Sequence, residues 1–187
     1  KIMTNPAQAA QKLADVLPQV SLPDMLQKLK TAKTFVWLAR NLTPEEQAKV
    51  VNLGIPGFEF HKEEKRVYPQ GALLSHVLGF TDVDNQGIGG LEHRFEAQLS
   101  EAREPLQLSI DLRLQHILYD ELKNGIERFR AQGGTGLILD AKTGEVLAMA
   151  SMPDFDPNDP QAGPAESHFN KATLGIYEMG SVFKLFN

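Results

Sequence analysis

The chain has 187 residues, enough for one large or two small domains, and 42% of them are hydrophobic and 23% charged, ordinary proportions for a folded globular protein. A net charge of -5 with scattered basic residues argues against a nucleic-acid surface, which needs concentrated positive charge. The absence of cysteine excludes disulfides, thiol catalysis and Cys-ligated zinc.

The first third reads as short helices. Asn5 is a cap followed by Pro6 at the first helical position, and Ala10, Leu13, Val16 and Leu17 follow at helical spacing. Residues 22–29 suggest a second helix with Pro23 at its start. In "LTPEEQAKVVNLG", Thr43 caps, Pro44 opens, Glu46 closes a capping box and Gly54 terminates. Residues 55–80 are rich in Gly, Pro and aromatics and read as extended segments and turns, followed by a "TDVDNQGIGG" loop. "LEHRFEAQLS" is a short amphipathic helix with Leu91, Phe95 and Leu99 on one face.

The pattern shifts at Glu104, where a domain boundary is expected. "PLQLSI" alternates like a strand. Asp111 then caps a long helix with an apolar stripe of Leu114, Ile117, Leu118, Leu122, Ile126 and Phe129. "TGLILDAKTGEVLAMAS" reads as a β-hairpin turning at Ala141-Lys142-Thr143-Gly144. A Pro/Asp/Gly loop follows, and a last helix is expected near Ser181. The fold class is therefore α+β: helices plus an antiparallel hairpin. No apolar run approaches the roughly 20 residues that span a bilayer. The N-terminus lacks a signal-peptide core, so any membrane anchor is expected outside this sequence.

Most candidate sites have plain structural readings. Asp154, Asp156 and Asn158 begin a calcium-loop pattern, but Asp159 and Ala165 stand where glycine and glutamate belong, so a solvated loop is expected. "GIGG" at 87–90 is half of a dinucleotide fingerprint and reads as a tight turn before a helix. His61, His76, His93, His116 and His168 show no ligand spacing, and neither metal nor cofactor is expected. "HKEEKR" at 61–66 reads as a solvated mixed-charge run.

Ser181 and Lys184 form a Ser-x-x-K pair, a pattern that arises by accident about once per chain of this size. Its setting adds content. Gly180 permits close backbone approach, and Val182, Phe183, Leu185 and Phe186 surround the lysine with apolar groups. Residues three apart on a helix share a face, so Lys184 can reach the Ser181 hydroxyl. A serine needs a base to become a nucleophile, and a lysine serves as one when burial or a neighbouring positive charge lowers its pKa. Helix-terminal N–H groups would stabilise a tetrahedral oxyanion. The pair reads either as acyl-transfer apparatus or as two surface residues on an ordinary helix.

Longer stretches resemble the class B penicillin-binding proteins, the monofunctional D,D-transpeptidases, and most closely the division-specific type. "FVWLARNLTPEEQAKV" and "KRVYPQGALLSHVLGFTDVDNQGIGGLEHRFEAQL" resemble the family's pedestal, including its R-x-Y-P-x-G segment. "LQLSIDLRLQHILYDEL", "GGTGLILDAKTGEVLAMASMPDFDPND" and "FNKATLGIYEMGSVFK" resemble the entry, first hairpin and nucleophile approach of its catalytic domain. The resemblance runs from about residue 5 to the end. It implies an elongated non-catalytic pedestal of the dimerisation type over 1–104 and an incomplete transpeptidase domain over 105–187.

By the same resemblance, Ser181 is the nucleophile acylated by a stem-peptide D-Ala or a β-lactam, and Lys184 its proton acceptor. Met179 stands where many relatives have proline. Lys142-Thr143-Gly144 precedes the serine and is turn chemistry rather than the family's later K-T-G, with Gly144 at positive φ. "VDN" at 83–85 is likewise not its S-x-N. Arg66 and Glu92 match charged pedestal positions and are expected either to form a half-buried ion pair or to stand as independent surface charges.

The resemblance implies a fragment of a peptidoglycan-cross-linking enzyme of septal wall synthesis, with the parent anchored at the periplasmic face of the bacterial inner membrane. Its expected partners are D-Ala-D-Ala stem peptides, β-lactams, and division proteins or a glycosyltransferase. A non-catalytic docking module is the alternative, and a serine β-lactamase or β-lactam sensor a third reading.

Overall fold

The computed structural model describes residues 5–31, 35–101 and 104–186, with side chains to 184. The chain forms two compact units, Lys1–Lys65 and Arg66–Asn187. The boundary expected from composition lay near Glu104.

Three capped helices build the first unit. The Asn5 side chain accepts a hydrogen bond from the Gln8 amide at 3.1 Å and opens α1 (Pro6–Val16). Ser21 caps α2 (Leu22–Lys30). Thr43 and Glu46 form the reciprocal capping box of α3 (Pro44–Asn52). These side chains satisfy amides that a first helical turn leaves unpaired. Ala10, Leu13, Leu17, Met25 and Val50 are buried together, with Leu38, Leu42, Ile55 and Phe58 packed against them from the extended segments. Segments 35–43 and 57–65 border a cavity of about 700 Å³. At its rim Phe35, Trp37 and His61 meet edge to face, and Arg40 pairs with Glu63 at 2.7 Å.

The second unit is organised by a long helix lying on a hairpin. The Asp111 carboxylate accepts from the amides of Arg113 at 2.8 Å and Leu114 at 3.4 Å, capping α4 (Leu112–Phe129). β1 (Gly134–Leu139) and β2 (Val146–Met152) pair antiparallel, with Gly134 opposite Met152 and Ser151 opposite Thr135. In the turn, Asp140 accepts from the amides of Lys142 and Thr143, and Gly144 has φ +77°. A Cβ added to Gly136 would lie 2.6 Å from a Leu118 methyl, so the bare strand lets the helix settle against it.

The expected apolar stripe of this helix is partly corrected. Leu114, Leu118, Leu122 and Ile126 are half-buried, but Ile117 and Phe129 are exposed, 58% and 77%. Gln115 and Tyr119 occupy the inward face instead. The stripe as read drifted off the true face because it passed over polar residues.

Residues 71–78, expected as extended chain and turns, are helical: a 3-10 turn Gly71–Leu74 runs into α5 (Ser75–Leu78). Their apolar side chains Leu73, Leu74 and Val77 are buried, so packing overrides the signal of the flanking glycines. Beyond them the chain folds back tightly. Gly79 and Gly90 both have positive φ, and a Cβ on Gly79 would fall 1.9 Å from the Gly89 carbonyl oxygen. The "GIGG" stretch is thus a tight turn, and α6 (Gly90–Arg94) and α7 (Glu96–Glu101) follow it. Residues 105–110, expected as a strand, run alongside β2 without joining the sheet: the Asp111 amide donates to Leu147 O and the Ser109 hydroxyl to Val146 O. Among the described residues, no helix is long and apolar enough to cross a membrane.

Candidate active site

The approach to Ser181 is fixed by a series of side-chain clamps. After β2, Phe155 is buried and meets the rings of His76, Phe80 and His168 at centroid distances of 5.5, 5.6 and 4.5 Å. Asn158 pairs with Tyr68 like one peptide group with another: the Tyr68 amide donates to its carbonyl oxygen at 2.9 Å, and its amide donates to Tyr68 O at 3.0 Å. The Tyr119 hydroxyl donates to the Asp154 carboxylate, and burial, aided by that carboxylate, pushes the phenol's pKa up. The segment expected as a solvated loop is therefore packed. The acidic spacing that suggested a calcium loop carries structural hydrogen bonds.

Asn170 then caps α8 (Lys171–Leu174), accepting from the Ala172 amide at 3.0 Å, while the Lys171 amide donates to the buried Ser151 hydroxyl at 2.9 Å. Residues 175–179 are irregular, and the last element is a 3-10 helix, Gly180–Phe186, entered through Gly180 at φ +53°. Ser181 and Lys184 both lie on it. In a 3-10 helix side chains at i and i+3 eclipse, about 6 Å apart along the axis, so the two share one face.

The pair is not enclosed. Ser181 and Lys184 are exposed, and so are Val182 at 57% and Phe183 at 59%. The expectation that the apolar neighbours bury the lysine is not met among the described residues, where Val182 and Phe183 are themselves exposed. The two functional groups share no hydrogen bond among the described residues. The spacing puts the two side chains on one face of the helix but does not bury them.

Arg66 and Glu92 do meet. Arg66 Nε lies 2.8 Å from Glu92 Oε1 and Nη2 lies 3.0 Å from Oε2, a bidentate fork. The glutamate side chain is only 11% exposed and the arginine 41%. Hydrogen bonding to Glu92 holds the Arg66 pKa above its usual value. The Arg66 amide also donates to Asn85 Oδ1 at 3.3 Å, which places the "VDN" residues in a structural loop.

The histidines are scattered: His76 is buried against the Pro153 carbonyl, His168 contacts Pro160 O, and His61 joins the aromatic rim of the first unit. Among the described residues no cluster of His, Asp or Glu could hold a metal ion. Sequence reasoning missed Gln115 and Asn170, and saw Asn158 only as part of a solvated loop. The available signal was an amide side chain set where the surrounding pattern called for an apolar residue or a loop.

Comparison with known proteins places these elements. The family described as Penicillin-binding Protein dimerisation domain matches residues 2–104, and that described as Penicillin binding protein transpeptidase domain matches residues 134–187. A protein of Caulobacter vibrioides named Probable peptidoglycan D,D-transpeptidase FtsI is 38% identical over 178 residues, covering 93% of this chain and 30% of its own length. Probable peptidoglycan D,D-transpeptidase PenA of Neisseria gonorrhoeae is 36% identical, covering 94% and 34%. Peptidoglycan D,D-transpeptidase FtsI of Escherichia coli K12 is 35% identical, covering 80% and 30%. The chain thus spans about a third of the length of the curated relatives it matches. With both family domains matched in order along an α+β chain, the protein belongs to the penicillin-binding proteins.

Proposed function

We propose that the protein to which these residues belong is a peptidoglycan D,D-transpeptidase of septal cell-wall synthesis, with Ser181 as nucleophile and Lys184 as proton acceptor. The observation that carries this reading is the Ser181–Lys184 register on one face of the 3-10 helix, within the stretch that matches the transpeptidase family. Lys184 Nζ takes the hydroxyl proton as Ser181 Oγ bonds to the carbonyl carbon of the penultimate D-Ala. The C–N bond to the terminal D-Ala breaks, and the proton goes to the departing amine. An amine of a second stem peptide then attacks the ester, forms the cross-linking amide and returns Ser181 with its proton. A β-lactam enters the first step, and its opened ring stays attached.

A fluorescent penicillin tests this. The full-length protein is expected to become labelled at Ser181 and to stay labelled, and Ser181→Ala is expected to abolish the signal. Rapid loss of label from the full-length protein would instead favour a β-lactamase. Residues 1–187 alone are expected to label poorly, since the pair is solvent-exposed and no K-T-G follows Ser181 in this sequence.

We further propose that residues 1–104 act as a pedestal for residues 105–187 and dock division proteins or a glycosyltransferase at the periplasmic face of the inner membrane. The exposed Phe35, Trp37 and Phe60 beside the cavity of the first unit favour this role. Capture of division proteins by residues 1–187, lost in Trp37→Ala, is the expected result.

A further inference from the structure

Asn170 does two jobs with one side chain. Its carbonyl oxygen accepts from the Ala172 amide at 3.0 Å, capping α8, and its amide nitrogen donates to His76 O at 3.1 Å. The orientation of the amide is fixed by its partners, because a backbone N–H only donates and a backbone C=O only accepts. The His76 carbonyl sits in α5, a four-residue helix whose carbonyls have few partners of their own, so the bond fills a real vacancy. Asn170 therefore ties the 71–78 segment to the helix that leads toward Ser181.

Beyond α8 several apolar side chains are exposed. Ile176, Tyr177, Met179, Val182 and Phe183 are 54–98% exposed. The departure from α8 is nevertheless tight: a Cβ on Gly175 would lie 2.5 Å from the Lys171 carbonyl oxygen and 2.4 Å from the Tyr177 ring. The direction in which the nucleophile segment leaves is thus set by how α8 is held, and α8 is held by Asn170 and by the Lys171–Ser151 hydrogen bond.

We infer that Asn170 is a positioning residue for the acyl transfer at Ser181, acting through its hydrogen bond to the His76 carbonyl. This rests on the acyl-serine reading above. Asn170→Asp separates its two jobs. The carboxylate still caps α8, but it cannot donate, and it sets an oxygen against the His76 oxygen. In the full-length protein, the acylation rate constant for a fluorescent penicillin and the affinity of the preceding non-covalent complex are measured separately, with the thermal midpoint alongside. Asn170→Asp and Asn170→Ala are expected to slow acylation by about tenfold or more while leaving non-covalent affinity unchanged, as small misplacement of a reacting group does. Asn158→Ala, which frees Tyr68 in the same unit but caps no helix, is expected to lower the midpoint and keep the wild-type acylation rate. A wild-type rate in Asn170→Asp overturns the inference. So does a slowing in Asn158→Ala that matches its loss of stability. A wild-type protein that takes no label at Ser181 overturns the acyl-serine reading itself.

Discussion

The side chain of Gln115 pairs with the backbone of Met149 as a neighbouring strand would: its Nε2 donates to Met149 O at 2.8 Å, and its Oε1 accepts from Met149 N at 2.9 Å. Nε2 also donates to Leu73 O at 2.8 Å, and Gln115 is wholly buried. One amide thereby closes the edge of β2 away from β1 and joins it to the 71–78 segment. Gln115→Met keeps the volume and leaves three backbone groups without partners, Leu73 O buried and Met149 N and O partly buried. The expected cost is about 3 kcal/mol or more by chemical denaturation, since each orphaned group costs about 1–3 kcal/mol. A loss indistinguishable from that of an exposed control such as Lys123→Met would show that water replaces the amide.

The Arg66–Glu92 fork is predicted to be structural. Removing the arginine strands a carboxylate that is only 11% exposed. Arg66→Ala is expected to lose about 1.5–3 kcal/mol, the range for hydrogen bonds to charged groups, with the partly exposed arginine keeping it toward the lower end. A double-mutant cycle with Glu92→Gln isolates the pair. An unchanged thermal midpoint in Arg66→Ala would mean the charges act independently.

Local chemistry was legible in the sequence wherever one residue type has one use. The caps at Asn5, Thr43 and Asp111, the hairpin turn at Gly144 and the tight turn at 87–90 all form as read. What stayed hidden depends on long-range packing. Gln115 looks like a polar break in an apolar stripe until Leu73 and Met149 come beside it, 42 and 34 residues away in sequence. Asn158 looks like loop composition until Tyr68, 90 residues away, supplies its partner. The helix expected near Ser181 forms and carries both Ser181 and Lys184, whereas the expected burial of the lysine is not met.

The fold-back at Gly79 is predicted to tolerate no side chain. Its φ of +75° is strained for other residues, and an added Cβ would lie 1.9 Å from the Gly89 oxygen, with backbone on both sides unable to yield. Gly79→Ala is expected to cost more than about 3 kcal/mol, combining left-handed strain with a backbone clash. Gly54 offers a control, since it has φ +62° and nothing within 4 Å of an added Cβ. Gly54→Ala is expected to cost about 1–2 kcal/mol from conformation alone. Equal losses at the two sites would remove the close approach as the cause.

The second unit is predicted to weaken in mild acid through His76. The ring is buried, meets Phe155 edge to face at 5.5 Å and places Nε2 3.1 Å from Pro153 O, so the neutral ring donates there. Burial lowers its pKa below the ordinary 6.5. The Pro153 carbonyl and Asp154 oppose the shift, and His168 and Lys171 add to it. With the folded pKa depressed, the unfolded chain takes up the proton first as pH falls. Stability is therefore expected to be level well above pH 6.5 and to decline as pH drops through and below that value, a slope read from thermal midpoints across a pH series. His76→Gln cannot charge and can still donate to Pro153 O, so it is expected to flatten the slope between neutrality and the onset of carboxylate titration. If the variant keeps the wild-type slope, the acid sensitivity arises elsewhere in the unit.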